Sequence, residues 1–210
     1  MDMTPRYIFM AGAPGSKWSS VCKNIYRSAD IDQSDYSDDR TYYHSAWGQP
    51  QLMHLGSYFD PGMEFGAGFD RLSEIGKDRC EAEFDRPFNG TGTRIIKSHV
   101  FCNHLDWIRA TWPSCPIVLC YRPDDACLGW WVRCREFRIT YPDYQWYGDL
   151  DNMARQIDMQ NSGLVDFALR NDIALDIRDN VDLCRRLGIR PPVGDQQDYA
   201  ESDVRVGVSP

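Results

Sequence analysis

The stretch YIFMAGAPGSKWSS at residues 7–20 is an apolar run that breaks into a Gly/Pro turn and resumes with helical periodicity. The apolar run predicts a buried strand ending at Gly12, and residues 18–29 predict a helix. A Gly-rich turn between a strand and a helix lets backbone N–H groups converge, and the positive end of the helix dipole attracts an anion. We therefore predict a phosphate-binding loop. Its predicted ligand groups belong to Gly12, Pro14, Gly15, Ser16, Lys17, Trp18, Ser19 and Ser20.

Strands and helices alternate along most of the remaining chain. Apolar runs predict strands at residues 94–97 and 117–121, and helical periodicity covers residues 69–84, 103–111, 124–137, 149–171 and 181–187. Strands joined by crossover helices form a parallel sheet covered on both faces, with ligands at the carboxyl ends of the strands. The predicted fold class is therefore α/β, a three-layer fold with a central mainly parallel sheet flanked by helices. The P-loop-like phosphate-binding loop follows the first strand.

Two segments lack a sustained period within what we expect to be a single domain spanning residues 1–210. Residues 30–68 are first acidic and then rich in aromatic residues among glycine and proline. Such an insertion is either an acceptor-binding lid or a loop whose aromatic side chains pack on the sheet. Residues 190–210, which include Arg190 and Arg205, either fold over the ligand or form a mobile tail, and we expect the tail.

Composition excludes several classes of protein. The net charge of −8 argues against nucleic-acid binding, which normally needs a basic face. The eight cysteines form no Cys-x-x-Cys pair, so zinc and thioredoxin patterns are absent from the sequence and reduced core thiols are expected. The first residues show neither a basic start nor a leader-like apolar run. We expect a cytoplasmic protein with no membrane partner.

The spacing within the loop indicates which phosphate it binds. A nucleotide triphosphatase has Gly, four residues, and then Gly-Lys-Ser/Thr. Here the interval from Gly12 to Lys17 is one residue short, and Trp18 rather than Ser or Thr follows the lysine. This spacing argues against an ATPase or a kinase.

Three segments together resemble the sulfotransferases that use 3′-phosphoadenosine 5′-phosphosulfate (PAPS). The run Pro14-Gly15-Ser16-Lys17-Trp18-Ser19-Ser20 resembles their Pro-Lys-Ser-Gly-Thr-Thr-Trp loop, with Gly15 at the family's Lys position and Lys17 at its Gly position. The run Lys97-Ser98-His99 resembles the Lys-Thr/Ser-His end of the family's second strand. The run Tyr121-Arg122-Pro123 resembles the turn that binds the nucleotide 3′-phosphate, with Gly129 where the family has a serine.

The resemblance implies transfer of a sulfuryl group from PAPS to a hydroxyl or amine of a small-molecule or glycan-like acceptor. His99 would be the general base, because imidazole with its unperturbed pKa of about 6.5 is mostly neutral at pH 7. Lys17, with Lys97, would stabilise charge, and Arg122 would bind the 3′-phosphate. PAPS is the co-substrate and adenosine 3′,5′-bisphosphate (PAP) the product, with no metal expected. His44 and His54 are the reserve candidates for the base.

Two other functions stay open at this point. A nucleotide or small-molecule kinase with a degenerate P-loop would depend on magnesium, which Asp124 or Asp125 could position. A catalytically silent nucleotide-binding protein is the third reading. The displaced lysine at position 17 and the absence of a serine at position 129 keep that hypothesis open.

Overall fold

The computed structural model describes residues 5–35, 41–43, 51–53, 57–58, 71–134, 149–194, 199 and 203–209. Its strands are β1 (Tyr7–Gly12), β2 (Thr41–Tyr43), β3 (Gln51–Met53), β4 (Ser57–Tyr58), β5 (Arg94–Lys97), β6 (Ile117–Tyr121) and β7 (Arg205–Ser209). Its α-helices are α1 (Trp18–Tyr26), α2 (Leu72–Ile75), α3 (Lys77–Asp85), α4 (Leu105–Thr111), α5 (Asp124–Cys134), α6 (Leu150–Arg170) and α7 (Asn180–Leu187). A 3₁₀ helix, Val100–Asn103, lies between β5 and α4.

The central sheet has the strand order β4-β5-β1-β6-β7. β1 pairs in parallel with β5 on one side, where Ile8 lies opposite Ile95, and with β6 on the other, where Met10 lies opposite Val118. β4 is parallel to β5, whereas β7 runs antiparallel to β6. The fold is therefore α/β with a mixed, mainly parallel open sheet. β2 and β3 form a separate antiparallel pair.

Side chains of the central strands alternate between two hydrophobic cores, because successive residues of a strand point to opposite faces. Phe9 of β1 belongs to the core that includes Phe84 of α3 and residues of α4 and α6. Met10 belongs to the opposite core, with Ile25 of α1 and Leu183 of α7. Helices therefore cover both faces of the sheet, as the alternation of elements predicts. Among the described helices, none has the length and apolar character that a membrane crossing requires.

The helix after the loop follows its sequence pattern closely. The buried side chains of α1 are Trp18, Val21, Cys22, Ile25 and Tyr26, spaced as one face of a helix.

The prediction of one helix over residues 69–84 is wrong, because Gly76 separates α2 from α3 with φ at 84°. A backbone at positive φ cannot continue a right-handed helix.

The later helices begin with aspartate caps. Asp149 accepts the N–H of Asn152 at the start of α6, and Asp179 accepts the N–H of Asp182 at the start of α7. α7 ends at Gly188, whose left-handed backbone at φ 68° suits a C-terminal cap. The predicted helix at residues 124–137 is described as far as the end of α5, and its last residues lie outside the described part of the chain.

The structure corrects two predictions about irregular segments. Within residues 30–68 the described parts include the short strands β2, β3 and β4, which contain too few residues to show a period in the sequence. The proposed lid lies largely outside the described residues and stays a prediction. A tail over residues 190–210 is wrong for its last part, because β7 pairs with β6 from Ser209 opposite Ile117 to Arg205 opposite Tyr121.

Candidate functional site

The candidate site lies at the carboxyl edge of the sheet, where the chain reverses the direction of its crossovers. From β1 the chain passes to β5 on one side and then crosses to β6 on the other. Ligands of open α/β sheets bind in the crevice that such a switch point leaves. The segments after β1, β5 and β6, which contain the loop, His99 and Arg122, meet at this edge. Because β7 is antiparallel, its first residues reach the same edge.

Close backbone packing fixes the loop after β1. Gly15 has φ at 85°, and a Cβ there would lie 2.5 Å from the carbonyl oxygen of Cys127 in α5. A Cβ on Gly12 would lie 2.5 Å from Ser16 Oγ. Both positions therefore require glycine, and Ser16 itself is fully buried.

Lys17 is the N-cap of α1 and has a left-handed backbone, with φ at 63° and ψ at 16°. The resemblance to the sulfotransferase loop places glycine here, and glycine is the residue best suited to this conformation. The side chain of Lys17 does not cap the helix, whereas its carbonyl accepts the N–H of Ser20 at 2.8 Å. Of the other predicted ligands, Pro14 is buried, Ser19 is half-buried and Ser20 is exposed.

A carboxylate from the C-terminal segment bridges two cations of the site. Asp203 Oδ2 lies 2.6 Å from Arg122 Nη2, and Asp203 Oδ1 lies 3.3 Å from Lys17 Nζ. Arg122 also donates from Nη1 to the carbonyl of Gly15 at 3.0 Å. The hydrogen bond from Arg122 is the main reason why the pKa of Asp203 lies below its ordinary value. An ionised carboxylate therefore occupies the space between the two cations.

The residues after β5 form a tight, buried turn at the end of the strand. Lys97, Ser98 and His99 are all buried. The N–H of Ser98 donates to the carbonyl of Met10 at 3.1 Å, and Ser98 Oγ accepts the N–H of Val100 at the same distance. These bonds turn the chain from β5 into the 3₁₀ helix and fix the backbone of His99.

Trp18 lies in the core beneath the loop. Its side chain is 7% exposed and belongs to the same core as Ile8 and Met10. Lys97 Nζ lies 5.9 Å from the centre of the indole ring, within the range of a cation–π contact. Lys97 therefore contacts Trp18, the first residue of α1. Because the indole ring is buried in the core, it is not exposed for stacking on an adenine ring.

Two amide side chains of α6 belong to the site and were not predicted. Gln160 Nε2 lies 3.1 Å from His99 Nδ1. Asn161 Nδ2 donates to the carbonyl of Arg122 at 2.8 Å and to Asp124 Oδ1 at 2.6 Å. A sequence signal existed, because both amides occupy the apolar stripe of an amphipathic helix. The buried residues of that helix are Met153, Ile157, Gln160, Asn161, Leu164, Phe167 and Ala168.

Four buried polar atoms at this edge have no hydrogen-bond partner within the described part of the chain. They are Ser16 Oγ, Arg122 Nε, Gln160 Oε1 and Asn161 Oδ1. Buried polar groups are nearly always paired, because an unpaired one costs about 1–3 kcal/mol. The hydroxyl and the guanidinium N–H suit an anion, and the two amide oxygens suit a donor. A polar ligand at this edge would satisfy these groups.

The thiols near the edge are poor nucleophiles. Cys127 Sγ contacts the carbonyl of Arg122 at 3.4 Å, and burial raises the pKa of this thiol to about 12. Only a thiolate attacks efficiently, so nucleophilic catalysis by cysteine is disfavoured here.

The prediction of reduced core thiols is confirmed for the seven described cysteines, all free and buried: Cys22, Cys80, Cys102, Cys115, Cys120, Cys127 and Cys184.

The structure brings Lys17, Arg122 and the glycine loop together and places His99 after the adjacent strand. His44 and His54, the reserve bases, lie outside the described residues.

The chain was compared with protein-family models, with curated proteins and with solved structures, and no match was found in any of the three comparisons.

Proposed function

We propose that the protein is a sulfotransferase that moves a sulfuryl group from PAPS to a hydroxyl or amine of a small-molecule or glycan-like acceptor. The convergence of Lys17 and Arg122 on one carboxylate, that of Asp203, carries the proposal. Carboxylates and phosphates are bound by the same cationic donors, so Lys17 and Arg122 can each bind an anionic group of the nucleotide once Asp203 is displaced. The pair lies beside the glycine loop and the N-terminus of α1, which also favour a phosphate.

In this proposal the segment after β1 is a P-loop-like phosphate-binding loop. Its backbone, Ser16 Oγ and the first turn of α1 bind the 5′-phosphosulfate end of PAPS. The left-handed backbone of Lys17 supports the resemblance, since it keeps a glycine conformation at the position where the family has glycine. Arg122 binds the 3′-phosphate through its buried Nε, and through Nη2 once Asp203 gives way.

The proposed reaction is an in-line displacement at sulfur. The acceptor oxygen or nitrogen forms a bond to sulfur while the bond from sulfur to the bridging phosphate oxygen breaks. The acceptor proton passes to His99, and PAP leaves with the electron pair of the broken bond. Lys17 and Lys97 stabilise the negative charge on the sulfuryl and phosphate oxygens. A positioned base of this kind contributes about 10²- to 10⁴-fold to the rate.

Transfer of radiolabelled sulfur from PAPS to a panel of hydroxyl and amine acceptors tests the proposal. We expect His99→Asn to lower kcat by about 100-fold or more. The Kd for PAP should stay within about twofold, because the asparagine amide keeps a polar partner for Gln160. His104→Asn, at the start of α4, is the matched control and should leave both values unchanged. Lost PAP binding with a retained rate in His99→Asn would contradict the assignment of the base.

A further inference from the structure

The side chain of Asn161 is buried where α6 meets the turn between β6 and α5, and only 3% of it is exposed. Asn161 Nδ2 donates to two acceptors at once. One is the carbonyl oxygen of Arg122 at 2.8 Å, and the other is Asp124 Oδ1 at 2.6 Å. Asn161 therefore joins α6 to the segment that carries Arg122 out of β6 and into α5.

The two acceptors fix the orientation of the Asn161 amide. Exchanging its two ends would place Oδ1 against the carbonyl of Arg122 and the carboxylate of Asp124, so that three acceptors would face one another without a proton. In the observed orientation, Asn161 Oδ1 is buried and has no hydrogen-bond partner among the residues that the structure describes. The amide thus combines two strong hydrogen bonds with an unpaired oxygen, a pattern that points to a role besides stability.

The backbone of Arg122 depends on this amide. Because α5 begins only at Asp124, the carbonyl of Arg122 lies outside that helix. Cys127 Sγ also contacts this carbonyl at 3.4 Å, but a thiol is a weak donor. The amide of Asn161 therefore supplies the strong hydrogen bond that holds the backbone from which the guanidinium extends.

The guanidinium of Arg122 is held at its other end by the phosphate-binding loop. Its Nη1 donates to the carbonyl of Gly15 at 3.0 Å, its Nη2 pairs with Asp203, and the side chain is 5% exposed. A guanidinium binds a phosphate best when its planar fork is aligned with the phosphate oxygens. Because the buried side chain has little freedom to adjust, the position of its backbone determines that alignment.

We infer that Asn161 is a positioning residue, which fixes the backbone of Arg122 and so aligns its guanidinium with the 3′-phosphate of the nucleotide. The inference rests on the proposed function, because it assumes that Arg122 binds the 3′-phosphate. Asparagine suits the task because one nitrogen carries two N–H groups, one for the carbonyl and one for the carboxylate. The amide is also neutral, so it adds no charge to a buried site, where a charge would carry a desolvation cost.

Calorimetric titration of the full chain with two nucleotides tests the inference. PAP has the 3′-phosphate, and adenosine 5′-phosphosulfate lacks it. Asn161→Leu, which has a similar size but no N–H group, should raise the Kd for PAP about tenfold and change the Kd for adenosine 5′-phosphosulfate by less than about twofold. Asn152→Leu is the matched control, because the amide of Asn152 bonds to Asp149 at the exposed start of α6. It should leave both Kd values unchanged.

A double-mutant cycle shows whether Asn161 acts through the guanidinium. Arg122→Met keeps most of the side-chain stem and removes the charged group. In this background Asn161→Leu should change the Kd for PAP by less than about twofold, because the group that it positions is gone. A tenfold loss that persists in Arg122→Met, or an equal loss for both nucleotides in Asn161→Leu alone, would overturn the positioning role.

Asn161→Asp keeps the shape of the side chain and adds a test by pH. The introduced carboxyl group would face the carboxylate of Asp124 and the thiol of Cys127, which stays neutral with its pKa of about 12, while the guanidinium of Arg122 is directed at Gly15. Burial and the neighbouring carboxylate raise the pKa of the introduced group. Once protonated, it can donate to the carbonyl of Arg122.

The Kd of Asn161→Asp for PAP, divided by the wild-type Kd at the same pH, should therefore fall between about pH 8 and about pH 5.5. The division cancels the titration of PAP itself. A ratio that does not fall would overturn the inference, and this result is decisive even if Asn161→Leu does not fold.

The free protein distinguishes failure of this inference from failure of the proposed function. The ¹⁵Nε–¹Hε resonance of Arg122, assigned by its loss in Arg122→Met, reports the surroundings of the guanidinium without any nucleotide. We expect Asn161→Leu to shift this resonance and Asn152→Leu to leave it in place. An unshifted resonance in Asn161→Leu would overturn the role of Asn161 whether or not PAP binds. A wild type that neither binds PAP nor transfers sulfuryl groups, with the resonance dependent on Asn161, would overturn the proposed function alone.

Discussion

Asp203 Oδ2 lies 2.6 Å from Arg122 Nη2, in a pair whose arginine side chain is only 5% exposed. The carboxylate reaches this position because β7 runs antiparallel to β6 and begins at the carboxyl edge of the sheet. An entering phosphate needs the same donors. The affinity of the site for an anionic nucleotide therefore includes the free energy of displacing Asp203 from Arg122 and Lys17.

Asp203→Asn should make PAP bind more tightly and the free protein less stable. Asparagine keeps a hydrogen-bond acceptor but removes the counter-charge of the buried guanidinium. Breaking a fully buried pair costs about 3–5 kcal/mol. Because the Asp203 side chain is 38% exposed, we expect a loss nearer 1–2 kcal/mol. PAP no longer competes with a carboxylate, so its Kd should fall by about 5- to 10-fold, equivalent to about 1–1.4 kcal/mol.

Denaturant unfolding and calorimetric titration measure these two effects of Asp203→Asn. Asp176→Asn is the matched control, because Asp176 pairs with Arg186 at 3.2 Å on the surface, where both side chains are well exposed. The control should change neither value appreciably. An Asp203→Asn variant that binds PAP no more tightly than the wild type would show that the carboxylate does not compete with the nucleotide.

Lys17→Gly and Lys17→Ala should separate the charge of Lys17 from its backbone conformation. The left-handed backbone at φ 63° is costly for any residue with a Cβ. We therefore expect the glycine variant to be more stable than the alanine variant by about 1 kcal/mol. Both variants lose the ammonium group, and both should bind PAP at least about tenfold more weakly.

Thermal unfolding ranks the stability of the two Lys17 variants, and titration with PAP measures the loss of affinity. If both variants bound PAP as tightly as the wild type, Lys17 would be a structural residue without a role in anion binding. Equal stability of the two variants would contradict the strained backbone.

Gly129→Ser should introduce the second ligand of the 3′-phosphate that the sulfotransferase resemblance expects. A Cβ on Gly129 meets no atom within 4 Å, so the substitution fits in α5. Gly129→Ala is the matched control, since it also adds a Cβ to the helix but has no hydroxyl, and its gain in helix propensity is at least that of serine. The serine variant should bind PAP more tightly than the alanine variant by about 0.5–1.5 kcal/mol.

The comparison of the Gly129 variants needs a nucleotide without the 3′-phosphate. Adenosine 5′-phosphosulfate should bind equally to the serine and alanine variants, because the added hydroxyl has nothing to contact. Two results would contradict this expectation: the serine variant binds both nucleotides more tightly by the same factor, or it binds neither more tightly than the alanine variant does. Either result would show that the 3′-phosphate does not lie beside α5.

Local sequence pattern predicted the elements that build the site. β1, β5 and β6 are short apolar runs, and the buried face of α1 follows the helical period residue by residue. Their placement at one edge follows from the topology of crossover connections. The loop, His99 and Arg122 could therefore be identified before any contact was known.

The unpredicted parts of the site depend on contacts between distant segments. Asp203 meets Arg122 only through the pairing of β7 with β6, which five residues near the C-terminus do not reveal. Gln160 stands out as an amide in an apolar stripe, yet its partner His99 follows from how α6 packs across the ends of the strands. The break at Gly76 is likewise a backbone conformation that helical periodicity does not show.

Ligand-dependent stability of the full chain most directly tests whether this edge binds a sulfonucleotide. Thermal unfolding is followed with PAP and, separately, with ADP and Mg²⁺ over the same range of concentrations. We predict that PAP alone stabilises the protein, by about 2.7 kcal/mol at 100 times its Kd, and that ADP with Mg²⁺ has little effect. Stabilisation by ADP with Mg²⁺ and none by PAP would contradict the sulfotransferase proposal and favour a kinase.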